Sequence, residues 1–200
     1  MAFNIIPGKN KDKLIVSFSG QGNGMGTLPQ FEFVNFLCRH FANAEKHFYL
    51  DIYSKWYHKG IVGLSDDIDD TVKYLEEQIK GFTNVIFIGS SAGGYAAILF
   101  GSLLNIDTVI AFKPQTVLPY ARPVFDPRYV DLKSVVNMVT QYYIYGDLTI
   151  DSKDDAYHHI SHCENIVVGK NVVLNTDYEV DLKKMRDNGH LYKIMNMIIG

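Results

Sequence analysis

Short apolar runs recur along this 200-residue chain with helix-patterned stretches between them, and that alternation constrains the fold more than any other feature. The runs are Leu14–Phe18, His47–Tyr53, Asn84–Ile88, Thr108–Phe112, Gln141–Tyr145 and Asn171–Asn175. Several are apolar without polar alternation, the pattern of parallel strands covered on both faces. Between them the sequence predicts helices over Pro29–Asn43, Asp66–Lys80, Ser91–Leu104 and Lys153–His162, with another inside Asp181–Ile199. In the second, Ile68, Val72, Leu75 and Ile79 recur at helical spacing behind an N-cap at Ser65 or Asp66. Strand and helix in turn predict a three-layer α/β/α sandwich around a mainly parallel sheet with right-handed crossovers. Ligands of such sheets gather at the carboxyl ends of the strands.

Hydrophobic residues at 47% and charged residues at 20% give an ordinary globular chain whose length suits a single domain over residues 1–200. Nineteen Lys+Arg against 22 Asp+Glu leave a net charge of −3, so no positive field favours nucleic acid as a partner. No apolar run reaches the roughly 18 residues of a membrane span, and Met1–Pro7 has no basic stretch leading into an apolar one. The expectation is a cytoplasmic protein without a membrane span. Cys38 and Cys163 are too few for a disulfide framework and read as reduced thiols. Lys113–Arg128 holds four of the six prolines and reads either as a stiff connection between strands or as a small cap over a site.

The segment Val85–Ala97 carries the chemistry. Gly89-Ser90-Ser91-Ala92-Gly93 is a G-x-S-x-G match at the junction of an apolar strand and a helix of small residues. A sharp strand-to-helix turn lifts the Ser91 hydroxyl clear of the sheet, and glycines on either side relieve crowding in that turn. The helix N-terminus brings partial positive charge and the Ala92 N–H to the place where an oxyanion would form. The alternative is a Gly/Ser turn in which the Ser90 or Ser91 hydroxyl only caps the helix.

Over most of its length the chain resembles the α/β-hydrolase family. Trp56-Tyr57-His58-Lys59-Gly60 and Ala111-Phe112-Lys113-Pro114-Gln115-Thr116 resemble, more narrowly, small hydrolase-like proteins associated with polysaccharide biosynthesis. The resemblance implies a serine esterase with a minimal cap and no cofactor. Its substrate would be a small-molecule ester or an acylated sugar, cleaved through an acyl-enzyme on Ser91. The family places a second oxyanion N–H after its first strand, here in the glycine-rich Ser17–Gly26, which makes Gly20 or Gln21 the candidate donor. That stretch has Met25 and Thr27 where a dinucleotide G-x-G-x-x-G would need glycine.

The family order of Ser, acid and His implies Asp147, at the end of Gln141–Tyr145, as the acid and His190, the histidine after the last strand, as the base. Thr176–Asp181, where that histidine usually falls, contains none. This motivates a second reading as a binding module that has lost its base. His158, His159 and His162 are the rival bases. If helical, His158 and His162 share one face, and with a carboxylate or Cys163 they would also suit a metal, although they match no zinc motif. Without a metal, the cluster is a His-rich helix face. Trp56 and Tyr57, after the second main strand, are the expected substrate-lining aromatics. Transfer of the acyl group to a sugar hydroxyl would use the same residues as hydrolysis.

Overall fold

A computed structural model describes residues 1–22, 29–118, 125–177 and 179–200. Seven strands form one sheet: β1 (Phe3–Ile6), β2 (Asn10–Phe18), β3 (Ala44–Tyr49), β4 (Asn84–Ser90), β5 (Thr108–Phe112), β6 (Gln141–Tyr145) and β7 (Val172–Asn175). Their spatial order is β1-β3-β2-β4-β5-β6-β7, with β1 antiparallel to β3 and every other pairing parallel. The three-layer sandwich read from the sequence is therefore the observed architecture. The added edge strand β1 is four residues long and ends before Pro7, too short to register as a periodic run.

Successive side chains of the central strands face opposite layers. Leu14, Val16 and Phe18 of β2, Val85 and Phe87 of β4, and Val109 and Ala111 of β5 enter the larger core. Ile15, Ile86, Ile88, Ile110 and Phe112 enter the smaller one on the other face. The larger core is covered by α2 (Ile68–Ile79) and by α3 (Ala92–Leu103), whose residues through Ser102 are all buried. The smaller core is covered by α1 (Val34–His40), α5 (Leu182–Asp187) and α6 (His190–Ile199), the last through Leu191, Ile194, Met195 and Ile199.

Helix boundaries differ from the sequence expectation where side chains capture backbone groups. The α2 cap is Asp67, whose carboxylate accepts the Asp70 N–H at 2.8 Å, and not Ser65 or Asp66. The first helix starts at Val34, because Glu32 is tied along the end of β2. Its N–H donates to Ser19 Oγ and its carbonyl accepts from Ser17 Oγ, both at 3.1 Å, and Phe33 then turns through φ 62. The expected Lys153–His162 helix is absent. The chain from 151 to 159 is irregular, and only Ile160–Asn165 (α4) is helical, so His158 and His162 do not share a helical face. In the expected cap, Lys113–Arg128, residues 119–124 lie outside the described residues. The remainder pairs Val117 with Asp131 and turns through a single 3-10 turn at Pro127–Tyr129. Among the described residues, no helix is long and apolar enough to cross a membrane.

Candidate active site

The G-x-S-x-G segment forms the turn from β4 into α3. Ser91 holds φ 56 and ψ −121, and its side chain makes no capping bond to the helix. The Ser91 hydroxyl therefore does not cap the helix. The turn closes only because its glycines lack side chains. A Cβ on Gly89 would collide with the Gly93 carbonyl, and one on Gly93 with the backbone of Phe18 and Ser19. Backbone bonds fix the turn from the neighbouring strand end: Ser91 N–H donates to Phe112 O at 2.9 Å, and Gln115 N–H to Ser91 O at 3.4 Å.

The histidine on Ser91 is His158. Its Nε2 lies 2.8 Å from Ser91 Oγ, and its Nδ1 lies 2.5 Å from Asp155 Oδ2. An ionised carboxylate only accepts, so Nδ1 carries the proton and the Nε2 lone pair faces the serine hydroxyl. Burial works to raise the Asp155 carboxyl, but its bonds from the His158 ring and from the backbone N–H groups of His158 and Tyr157 outweigh it and hold the pKa below the ordinary value. The His158 N–H also donates to Asp155 Oδ1 at 3.2 Å, so acid and base stand on one self-tied turn.

His162 holds that turn against the site. Its Nδ1 accepts the Thr116 and Val117 N–H groups at 3.0 and 3.2 Å, and its Nε2 donates to Ala156 O at 3.1 Å. Burial lowers its pKa, consistent with this neutral tautomer. His159 instead caps α4 through Ser161. Among the described residues, no group of three or more His, Cys, Asp or Glu side chains is arranged to hold a metal ion.

The acid and base expected from chain order stand elsewhere. Asp147 is buried, and its carboxylate accepts from Thr149 N–H at 2.9 Å, Thr149 Oγ1 at 2.6 Å and Val180 N–H at 2.9 Å. Burial raises its pKa, but these donors and nearby Lys113 bring it below the ordinary carboxylate value. Asp147 thus ties the end of β6 to the approach of α5, and among the described residues it bonds to no histidine. His190 begins α6, with its N–H on Asn188 Oδ1 at 3.0 Å, on the helix that packs into the smaller core. The side chains that meet at Ser91 are thus His158 and, through it, Asp155, both from the loop after β6, whereas the segment carrying His190 packs against the sheet.

The aromatic loop also departs from expectation. The Asp51 carboxylate gathers the Lys55 and Tyr57 N–H groups at 2.5 and 3.1 Å, forcing Trp56 and Tyr57 to φ 51 and 63. Tyr57 is fully buried, with its hydroxyl between the Ser19 and Tyr49 carbonyls, so it packs the core. Trp56 is 5% exposed, and its indole N–H donates to Gln115 Oε1 at 2.6 Å. Gln115 Nε2 in turn lies 3.3 Å from His158 Nε2.

The backbone N–H groups of Ala92 and Gln21 donate no hydrogen bond among the described residues. The Gln21 side chain is anchored on Ser54 O at 3.2 Å. The Gly20 amide, by contrast, faces the Glu32 carboxyl. A methyl group at Gly20 would stand 3.3 Å from Glu32 Oε1 and 3.6 Å from Ser91 Cβ, which sets this acid near Ser91. Glu32 Oε2 is buried without a hydrogen-bond partner, and burial pushes the carboxyl up to about 7 despite the Gly20 amide. Glu32 carries no sequence signal, and Gln115 stands in the Ala111–Thr116 stretch without a role of its own, since each acquires its position from a tertiary contact. The glycine-rich stretch beyond Gly22, including Gly24 and Gly26, lies outside the described residues.

No protein-family model matches the sequence, and no curated protein matches it. Solved structures do. The chain is similar to the capsule O-acetyltransferase of Neisseria meningitidis serogroup A, with 17% identity, a TM-score of 0.65 and coverage of 96% of this chain and 89% of that one. Thermogutta terrifontis esterase 2, solved phosphoramylated by tabun, shares 13% identity at a TM-score of 0.60 over 98% and 89% of the two chains. A lipase/esterase from Lactobacillus plantarum shares 12% identity at a TM-score of 0.52 over 90% and 88%. With the sheet order, these likenesses establish the α/β-hydrolase fold.

Proposed function

Starting from a chain with the α/β-hydrolase fold, we propose that it is a serine acyl-transfer enzyme, an esterase in the first instance, with Ser91 as nucleophile, His158 as base and Asp155 as the acid that orients it. The observation that carries this reading is the unbroken path from Asp155 Oδ2 through His158 to Ser91 Oγ, with steps of 2.5 and 2.8 Å. His158 takes the Oγ proton as Ser91 attacks the ester carbonyl, and Asp155 stabilises the imidazolium that results. The Ala92 and Gln21 N–H groups receive the developing oxyanion, since neither has another acceptor among the described residues. The leaving alcohol departs with the proton from His158, and a hydroxyl compound then releases the acyl group by the reverse sequence.

The entering hydroxyl is water in an esterase and a sugar hydroxyl in an O-acyltransferase. Similarity to both an esterase and a capsule O-acetyltransferase motivates the second form, which needs the same three side chains. The exposure of Asp155 at 42% and His158 at 24% suits it, because a bulky acceptor must reach Nε2. Hydrolysis of p-nitrophenyl acetate should fall to background in Ser91→Ala, and mass spectrometry of the wild-type reaction should find the acetyl group on the Ser91 peptide. Full activity in Ser91→Ala, or acetylation confined to other residues, would contradict the assignment.

A further inference from the structure

Two donors converge on one lone pair at His158 Nε2: the Ser91 hydroxyl at 2.8 Å and the side-chain amide of Gln115 at 3.3 Å. The amide cannot be turned round. Trp56 Nε1–H is a donor only, so the Gln115 atom 2.6 Å from it is the carbonyl oxygen, and the NH2 group faces the histidine. Gln115 and Trp56 are 6% and 5% exposed, and Phe125 packs edge-on against the indole at 5.5 Å, so the orientation is held by packing as well as by the bond. Gln115 is also in backbone contact with the nucleophile through Ser91 O.

We infer that Gln115, oriented by Trp56, is a positioning residue for the oxygen that enters and leaves at His158, setting how fast the acyl group passes from Ser91 to a hydroxyl acceptor. The inference rests on the acyl-transfer reading above and deepens it. In the resting site the Gln115 NH2 shares the Nε2 lone pair. When Ser91 Oγ bonds to the carbonyl carbon, its proton moves to Nε2 and that lone pair is gone. The NH2 group then needs another acceptor, and the oxygen beside Nε2 supplies one. In the first half-reaction this is the ester oxygen, which receives the proton as its bond to the carbonyl carbon breaks. In the second, it is the oxygen of water or an alcohol, which gives its proton to Nε2 as it attacks the acyl carbon; Nε2 then returns that proton to Ser91 Oγ as the bond from Oγ to the acyl carbon breaks. The amide supplies no proton in either step; it fixes where that oxygen sits.

p-Nitrophenyl acetate separates the two steps, because p-nitrophenolate leaves without help and an entering hydroxyl does not. In Gln115→Met, close in size but without the NH2 group, the pre-steady-state burst should remain while steady-state turnover falls about 10-fold, or about 1.4 kcal/mol, the upper end of the net worth of one hydrogen bond. Acetyl-Ser91 should accumulate, and the share of methyl acetate formed with added methanol should change. Gln115→Glu, which replaces the donor by an acceptor, should act in the same way, and Trp56→Phe should act less strongly in the same direction. Burst and turnover that are unchanged, or that fall together in both Gln115→Glu and Trp56→Phe, would overturn the inference even if Gln115→Met fails to fold. A burst that survives in Ser91→Ala would instead overturn the reading beneath it.

Discussion

Glu32 shows how far a single side chain at this site is governed by its surroundings. The folded chain holds its proton up to about 7, whereas an unfolded chain releases it near the ordinary 4.5, so the fold binds more protons between those values and loses stability as pH rises through them. Glu32→Gln removes that dependence. In urea denaturation the variant should match the wild type near pH 4.5 and exceed it at pH 8 by up to about 3 kcal/mol, the limit set by roughly 1.4 kcal/mol for each pKa unit. Equal stabilities at pH 8 would show that the carboxyl is not desolvated as its buried, unpartnered Oε2 indicates. At the same scale, Asp155→Asn keeps the shape of the site but removes the charge that stabilises the imidazolium. We expect kcat for p-nitrophenyl acetate to fall by about 10²-fold or more, with folding unchanged by circular dichroism.

The elements explain which parts of the site were legible in the sequence. The apolar runs of β4, β5 and β6 and the small residues of α3 announce themselves, because burial on both faces leaves no polar alternation and a close helix leaves no room for large side chains. That places Ser91 directly. Gly93→Ala should therefore cost about 1–3 kcal/mol in chemical denaturation, as the new Cβ meets the backbone at the end of β2, and should slow reaction at Ser91 by shifting the turn. The loop from 151 to 159 has no such signal. Its conformation is set by Asp151 and Asp155 accepting nearby N–H groups and by His162 reaching across to Thr116 and Val117, contacts that no period encodes. Read as a helix, that stretch puts His158 and His162 on one face, while the family chain order separately favours His190. Glu32 was hidden in the same way, inside a segment expected to be helical but drawn out along β2 by Ser17 and Ser19.

Across the whole molecule, histidines held neutral by partial or full burial, His162 and His58, clamp loops at the carboxyl ends of the strands. His58 Nδ1 accepts the Asp126 N–H at 2.8 Å, and its Nε2 donates to Tyr95 Oη at 2.8 Å, joining the aromatic loop, α3 and the segment before Tyr129. Burial lowers the His58 pKa to about 4. Its contribution is fully present above the unfolded value near 6.5 and is lost as pH falls from there through about 4. Thermal unfolding should show the wild-type Tm dropping across that window. His58→Gln should start lower at neutral pH and fall less steeply, and identical slopes would contradict the clamp. The architecture thus uses its C-terminal helices to cover the sheet and its β6–α4 loop to complete the site. The rate of labelling by a fluorophosphonate probe, compared between His158→Ala and His190→Ala, tests that division most directly. Labelling should fall to near background in His158→Ala and stay close to wild type in His190→Ala; the reverse result would place the base on the C-terminal helix instead.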